Sequence, residues 1–178
     1  GVILIWLVYI TGINGFMLVW DKLAQFVTVS TAELLDWIPI FKGVVIRNFI
    51  FEGHVNDRLF TLLAFVHLGA PLLVLMVMWI HVQRVPRAHT NPPKAIALWV
   101  TATFLILSLV RPVVSQGPAN LSVEVGALDF DWFYLPIYPL IYEWPLASLW
   151  GFLIGTSVFL YLLPWLPPKR RGSAKAEL

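Results

Sequence analysis

Two histidines stand fourteen residues apart in the stretch "AFVHLGAPLLVLMVMWIHVQRV", residues 64–85. Everything around His67 and His81 is apolar enough to read as a membrane helix. Fourteen helical residues rise about 21 Å and turn through about 1400°, roughly 40° short of four full turns. The two imidazoles therefore share one face, one near each side of the hydrocarbon layer. An ionisable group inside a membrane is costly and usually functional. Neutral imidazole is a common metal ligand and holds haem iron without a covalent bond. Two irons stacked about 20 Å apart on one helix would carry electrons between the two faces of a bilayer. The bland alternative is a pair of histidines that hydrogen-bond across helices.

The elements that must position these histidines follow from composition. The chain has 178 residues, 59% hydrophobic and 12% charged, with a mean hydropathy of +0.80. A soluble domain carries about twice that share of charge. We therefore expect an all-α transmembrane bundle, about four membrane helices with amphipathic surface helices in the connectors. Cysteine is absent, which removes disulfides, thioether-attached haem and thiolate iron–sulfur ligation. Neither charge nor motif suggests a nucleic-acid partner.

The segments read as one membrane domain, 1–178. Residues 1–20, 59–82, 95–110 and 146–166 are membrane helices, the third short against the ~20 residues a crossing needs. Residues 21–57 form a surface connector, two short helices broken at Ile38–Pro39. Residues 111–145 form a second connector with an aromatic run, and 167–178 a tail. The apolar run starts at Gly1, so the chain is expected to open inside a helix with something upstream. Arg84, Arg87 and Lys94 in one loop share a side with Lys169, Arg170, Arg171 and Lys175 in the tail, where Glu177 is the lone acid. The positive-inside rule then puts that loop and the C-terminus in the cytoplasm. Both long connectors lie on the other, acidic side.

Gly1 and Gly15 in the first helix are also fourteen apart. Glycine lets a flat macrocycle approach a backbone closely. The alternative is helix packing through small residues.

Longer motifs surround these residues. "NGFMLVWDK" ends the first helix, with Gly15, Trp20 and Asp21. "DRLFTLLAFVHLGAP" opens the second, with Arg58, His67 and Pro71. "HTNPP", "GPANLSV" and "FDWFYLP" follow in that order. In this order and spacing the chain resembles cytochrome b of the Rieske/cytochrome b complexes, from its third to its sixth membrane helix. The corresponding family patterns are like T-G-Y-x-L-P-W-D-Q and P-E-W-Y-F-L-P. The likeness covers residues 1 to about 166.

The resemblance implies two haems b, ligated by His67 and His81, with Gly1 and Gly15 against the rings and Arg58 near a propionate. The second axial ligands would come from helices not in this chain, either a missing N-terminal part or a separate subunit. It implies a quinone site near Trp132 and Tyr134, with Asp131 as quinol proton acceptor. For that role Asp131 needs a raised pKa, which aromatic neighbours could provide by desolvation. The alternative there is an interfacial aromatic belt with a solvated aspartate. His89, Asn91 and Arg84 lie near His81, where the family has an inner quinone site, and read more simply as a basic loop. His54 reads as a loop residue. Expected partners are quinol or quinone, the lipid of an energy-transducing membrane such as a bacterial inner membrane, and a peripheral redox protein such as a Rieske protein or c-type cytochrome. Activity would belong to the assembled quinol oxidoreductase, not to this chain alone.

The chain departs from the family in Val19 for a proline, Asp131 for the motif glutamate, Phe130 for its proline and Phe133 for its tyrosine. Two other readings stand beside this one. A relative without full quinol bifurcation would wire a quinone to another enzyme. A non-redox scaffold or transporter would use the histidines as proton relays or packing residues.

Overall fold

The computed structural model describes residues 1–50, 55–86, 91–132 and 134–166. The tail at 167–178, His54, Arg87, His89 and Phe133 fall outside the described residues. Within them the chain is an all-α helical membrane bundle, with one isolated backbone bridge, Asp21 to Pro118, and no strands.

The helices are α1 (Val2–Val19), α2 (Lys22–Asp36), α3 (Val44–Phe49), α4 (Asp57–Arg84), α5 (Lys94–Val110), α6 (Ile137–Glu143) and α7 (Leu146–Leu162), with a 3₁₀ turn over Leu163–Trp165. Three of them, with α7 counted through Trp165, are long and apolar enough to cross a membrane: Val2–Val19, Asp57–Arg84 and Leu146–Trp165. The fourth apolar helix, Lys94–Val110, has 17 residues, about 25 Å, short of the ~30 Å hydrocarbon core.

Local chemistry sets the boundaries. α1 holds no charged residue and stops at Trp20, which takes a left-handed conformation (φ 51°, ψ 44°). That conformation is unfavourable for a side chain with a Cβ. It is held because Ala119 N–H donates to the Trp20 carbonyl at 3.3 Å and the indole packs edge-on against Phe60. The reversal puts Asp21 at the N-cap of α2, where its Oδ1 accepts from Ala24 N–H at 2.8 Å. Such a cap satisfies a helix-end donor that water cannot reach. Asp36, the last residue of α2, caps the next helix: its two oxygens accept from Val45 and Ile46 N–H, both at 2.9 Å. Asn56 caps α4 through Arg58 N–H at 3.0 Å. Pro93, Pro136 and Pro145 each stand immediately before a helix, where a missing N–H costs nothing.

The buried core joins α1, α2, α4, α6 and α7. Val27, Leu135 and Leu149 are completely buried at its centre. Trp6 Nε1 of α1 donates to Ser157 Oγ of α7 at 3.0 Å, and Trp150 Nε1 to the Leu34 carbonyl at 3.1 Å. α5 buries none of its residues. Within α4 the only buried residues are Leu59 and Leu63, in its first two turns.

The second connector is fastened to α2 by polar side chains. Asp21 Oδ2 accepts from Gln116 N–H at 3.1 Å. Gln25, itself buried, accepts from Asn120 N–H at 2.7 Å and donates to the carbonyls of Asn120 and Val123 at 2.9 and 3.1 Å. Gln116 pairs in the same two-way manner with the backbone of Asp129, at 2.6 and 2.8 Å. These amides replace strand pairing in the part of the connector before α6, which has no helix or strand of its own.

Candidate functional site

α1 and α4 meet along a strip of small residues. The His67 ring of α4 lies across it. His67 Nδ1 sits 2.8 Å from the Thr11 carbonyl oxygen. A carbonyl only accepts, so Nδ1 donates to it; in a neutral imidazole that leaves the lone pair on Nε2. A ligand imidazole is commonly fixed this way, with one ring nitrogen tied to a carbonyl and the other turned to a metal. Gly15 lies under the same ring: a Cβ there would be 2.7 Å from His67 Cε1 and 3.2 Å from Nδ1. The glycine expected to admit a macrocycle thus lies against the His67 imidazole itself.

One turn along the strip, Tyr134 fills the groove over Gly12, where a Cβ would collide with its phenol ring and hydroxyl. Tyr134 Oη donates to the Val8 and Tyr9 carbonyls at 2.9 and 3.0 Å. Its ring stacks on Tyr9, centroids 5.4 Å apart, and leans on Phe16 at 5.8 Å. Burial pushes the Tyr134 phenol above its ordinary range, partly offset by a backbone hydrogen bond at Gly12, which keeps it a donor. The strip therefore seats two rings, His67 from α4 and Tyr134 from the second connector.

Asp131 organises the turn that delivers Tyr134. Its Oδ1 accepts from Tyr134 N–H at 3.0 Å, and its carbonyl accepts from Leu135 N–H at 2.8 Å. The adjacent Trp132 side chain is 77% exposed. Phe130 packs edge-on against Phe26 of α2.

The other expected residues lie apart from this cluster. His81 is in the last turn of α4 and exposed. Gly1 stands at the N-cap of α1, with no described atom within 4 Å of where a Cβ would sit. Arg58 is exposed at the start of α4. Among the described residues no group of three or more His, Asp or Glu could hold a bare metal ion.

A cleft of about 1050 Å³ opens between α2, α3, the segment 121–125 and α6. Phe26, Val29, Ile46 and Val125 give it apolar walls; Glu33 and Tyr142 add polar ones. Tyr142 Oη is 2.9 Å from Ser30 Oγ. Beside it, Tyr138 Oη is 2.8 Å from Thr31 Oγ1, and burial pushes the Tyr138 phenol well up. Neither the cleft nor the Tyr134 peg was anticipated from the sequence. Both depend on contacts between segments more than a hundred residues apart.

No family model matches the chain, and no solved structure matches it. Among curated proteins it is similar to "Cytochrome b/c1" of Bradyrhizobium diazoefficiens, with 25% identity over 209 residues. That alignment takes in 98% of this chain and 30% of the relative, so the chain spans less than a third of the length of the protein it matches. At this identity the similarity supports a cytochrome b-like chain and nothing narrower.

Proposed function

We propose that the chain is the haem-bearing part of a di-haem cytochrome b-type electron carrier in a quinol-oxidising or quinone-reducing membrane complex. The observation that carries this reading is the His67 site. An imidazole inside an apolar helix pair has its tautomer fixed by the Thr11 carbonyl and a glycine beneath its ring. The 25% identical relative, whose printed name is Cytochrome b/c1, points the same way.

The residues present fit a haem. Thr11 orients His67 and leaves Nε2 as the donor. Gly15 keeps the ring in place by having no side chain. His81, on the same helix fourteen residues on, would serve a second haem toward the other side. When bound, the haems supply reversible one-electron chemistry; this chain's part is to hold one axial nitrogen for each and to separate them by about four helical turns. Their second axial ligands would come from helices outside this chain, as a preceding segment or a second subunit. Arg58 at the outer end of α4 would meet a propionate. Gly1 would flank the haem at His81. The basic side, with Arg84 and Lys94, is cytoplasmic in this proposal.

Quinol exchange belongs to the acidic side, where α2, α6 and the connector 111–145 meet, with a peripheral redox protein docking over it. Asp131→Asn tests the proton-acceptor role that the motif implies. Turnover should fall by at least tenfold with both haem signals intact. Unchanged turnover and pH profile would reduce Asp131 to a residue that shapes the Tyr134 turn.

The haem reading itself is tested by a reduced-minus-oxidised spectrum of the purified assembly. A b-type α-band is expected. Its absence would favour the scaffold or transporter reading, in which His67 simply bonds Thr11 across two helices.

A further inference from the structure

Two side chains from distant parts of the sequence meet at a single peptide group of α1. That group carries the Thr11 carbonyl at one end and the Gly12 N–H at the other. His67 Nδ1 donates to the carbonyl at 2.8 Å. Tyr134 engages the other end. Its phenol oxygen takes a backbone hydrogen bond at Gly12, and its proton is shared between the Val8 and Tyr9 carbonyls at 2.9 and 3.0 Å. A hydroxyl can do both, having one donor and two acceptor lone pairs. Val8 is also the residue whose carbonyl takes Gly12 N–H in the α-helical pattern. The Tyr134 ring is held from both sides, stacked on Tyr9 and tilted on Phe16. Both approaches need glycine: a Cβ at Gly12 would collide with the phenol, and one at Gly15 would lie 2.7 Å from His67 Cε1.

We infer that Tyr134 is a positioning residue for the His67 imidazole, acting through the Thr11–Gly12 peptide, and that its hydroxyl holds the reduction potential at His67 down. The inference rests on the proposed function for the group that His67 holds. It goes beyond that reading in naming what fixes the ring and tunes it. A peptide group transmits between its ends: a hydrogen bond at the N–H polarises the amide and makes its carbonyl a better acceptor. A better acceptor on Nδ1–H makes the opposite ring nitrogen more basic, as it does in metal-bound histidines. A more basic axial nitrogen favours the oxidised iron and lowers its potential. The hydroxyl also pins the turn of α1 that ends at Thr11, which fixes the direction of the carbonyl and with it the plane of the imidazole. Asp131 Oδ1 holds the Tyr134 backbone N–H at 3.0 Å, so the second connector itself sets where this clasp closes. His81 is exposed in the last turn of α4, about four helical turns away, and serves as an internal control.

The test uses the assembled, haem-loaded complex in detergent and needs no turnover. Redox-poised difference spectra give the potential of each haem. Low-temperature electron paramagnetic resonance gives each one's largest g-value, which follows the angle between its two axial imidazole planes. The haem that survives in His81→Ala identifies the His67 signals. Tyr134→Phe keeps the stacked ring and drops the hydroxyl. It should raise the His67 potential by an amount equivalent to about threefold in the one-electron equilibrium, about 30 mV, and shift that haem's g-value. The His81 haem should keep both values. Gly12→Ala, which evicts the phenol, should move the His67 signals at least as far in the same direction. Tyr138→Phe removes a hydroxyl that bonds Thr31 of α2 instead, and should move neither haem. Unchanged His67 signals in Tyr134→Phe, equal shifts at both haems, or a Tyr138→Phe shift as large, overturn the inference. Loss of both haems from Tyr134→Phe would make the hydroxyl a folding contact and overturn it as well. Absence of a b-type α-band in wild type would instead overturn the function on which it rests.

Discussion

His67 is the residue on which the account turns, and its neighbours explain why. A histidine in an apolar helix must satisfy two ring nitrogens. Thr11 takes one through its carbonyl, and Gly15 removes the Cβ that would push the ring away. Even a methyl at position 15 would lie 2.7 Å from His67 Cε1, closer than real Cβ contacts come. Gly15→Ala should therefore displace the imidazole and lower haem occupancy at the His67 site by several-fold. Gly1→Leu should spare that site and lower occupancy at His81 instead. Haem titration on purified variants, resolved by potential, reads both. Full occupancy in each would leave the glycines as packing residues.

The residue scale also shows what sequence could and could not reveal. The fourteen-residue interval and the shared face of His67 and His81 follow from helix geometry alone. The partner of Nδ1 did not. It is a backbone carbonyl on another helix, and no side-chain identity marks it. Tyr134 was expected near a quinone; the structure seats it over Gly12, with its hydroxyl on two α1 carbonyls.

At the scale of elements, apolar length and proline placement made the membrane helices readable. α4 runs from Asp57 to Arg84, a little beyond the expected 59–82, because Asn56 supplies a cap ahead of the apolar run. The break near Ile38–Pro39 separates α2 from α3 as the proline suggested. α6 was hidden within the connector, since Pro136, Pro139 and Pro145 flank or interrupt a seven-residue helix. The amide clamps were also hidden. Gln25 lies in the first turn of α2, and only the fold reveals that it faces Asn120 and Val123. Gln25→Leu should cost about 2–4 kcal/mol, since three hydrogen bonds are lost and buried backbone groups are left unpaired. The expected observation is earlier thermal unfolding, with protease cutting near residues 119–125 before any loss of the haem band. Simultaneous loss of both would mean the connector and the haem helices unfold as one unit.

At the scale of the whole molecule, the chain has a packed end and an uncovered end. Its core gathers where α1, α2, α6 and α7 meet the first turns of α4. The far half of α4 and all of α5 bury nothing. Leu72, Leu75 and Trp79 are each more than 60% exposed. His81 lies in the uncovered half of α4, an apolar surface of the kind that faces lipid or neighbouring helices.

The central claim, that His67 and His81 each hold one haem iron, is tested most directly by haem content in two variants of the assembled complex. Pyridine haemochrome and a redox-poised difference spectrum would be recorded for wild type, His67→Ala and His81→Ala. The account predicts two b-type haems in wild type, one in each variant, and a different potential surviving in each. Two haems in both variants, or the same one lost from both, would contradict it.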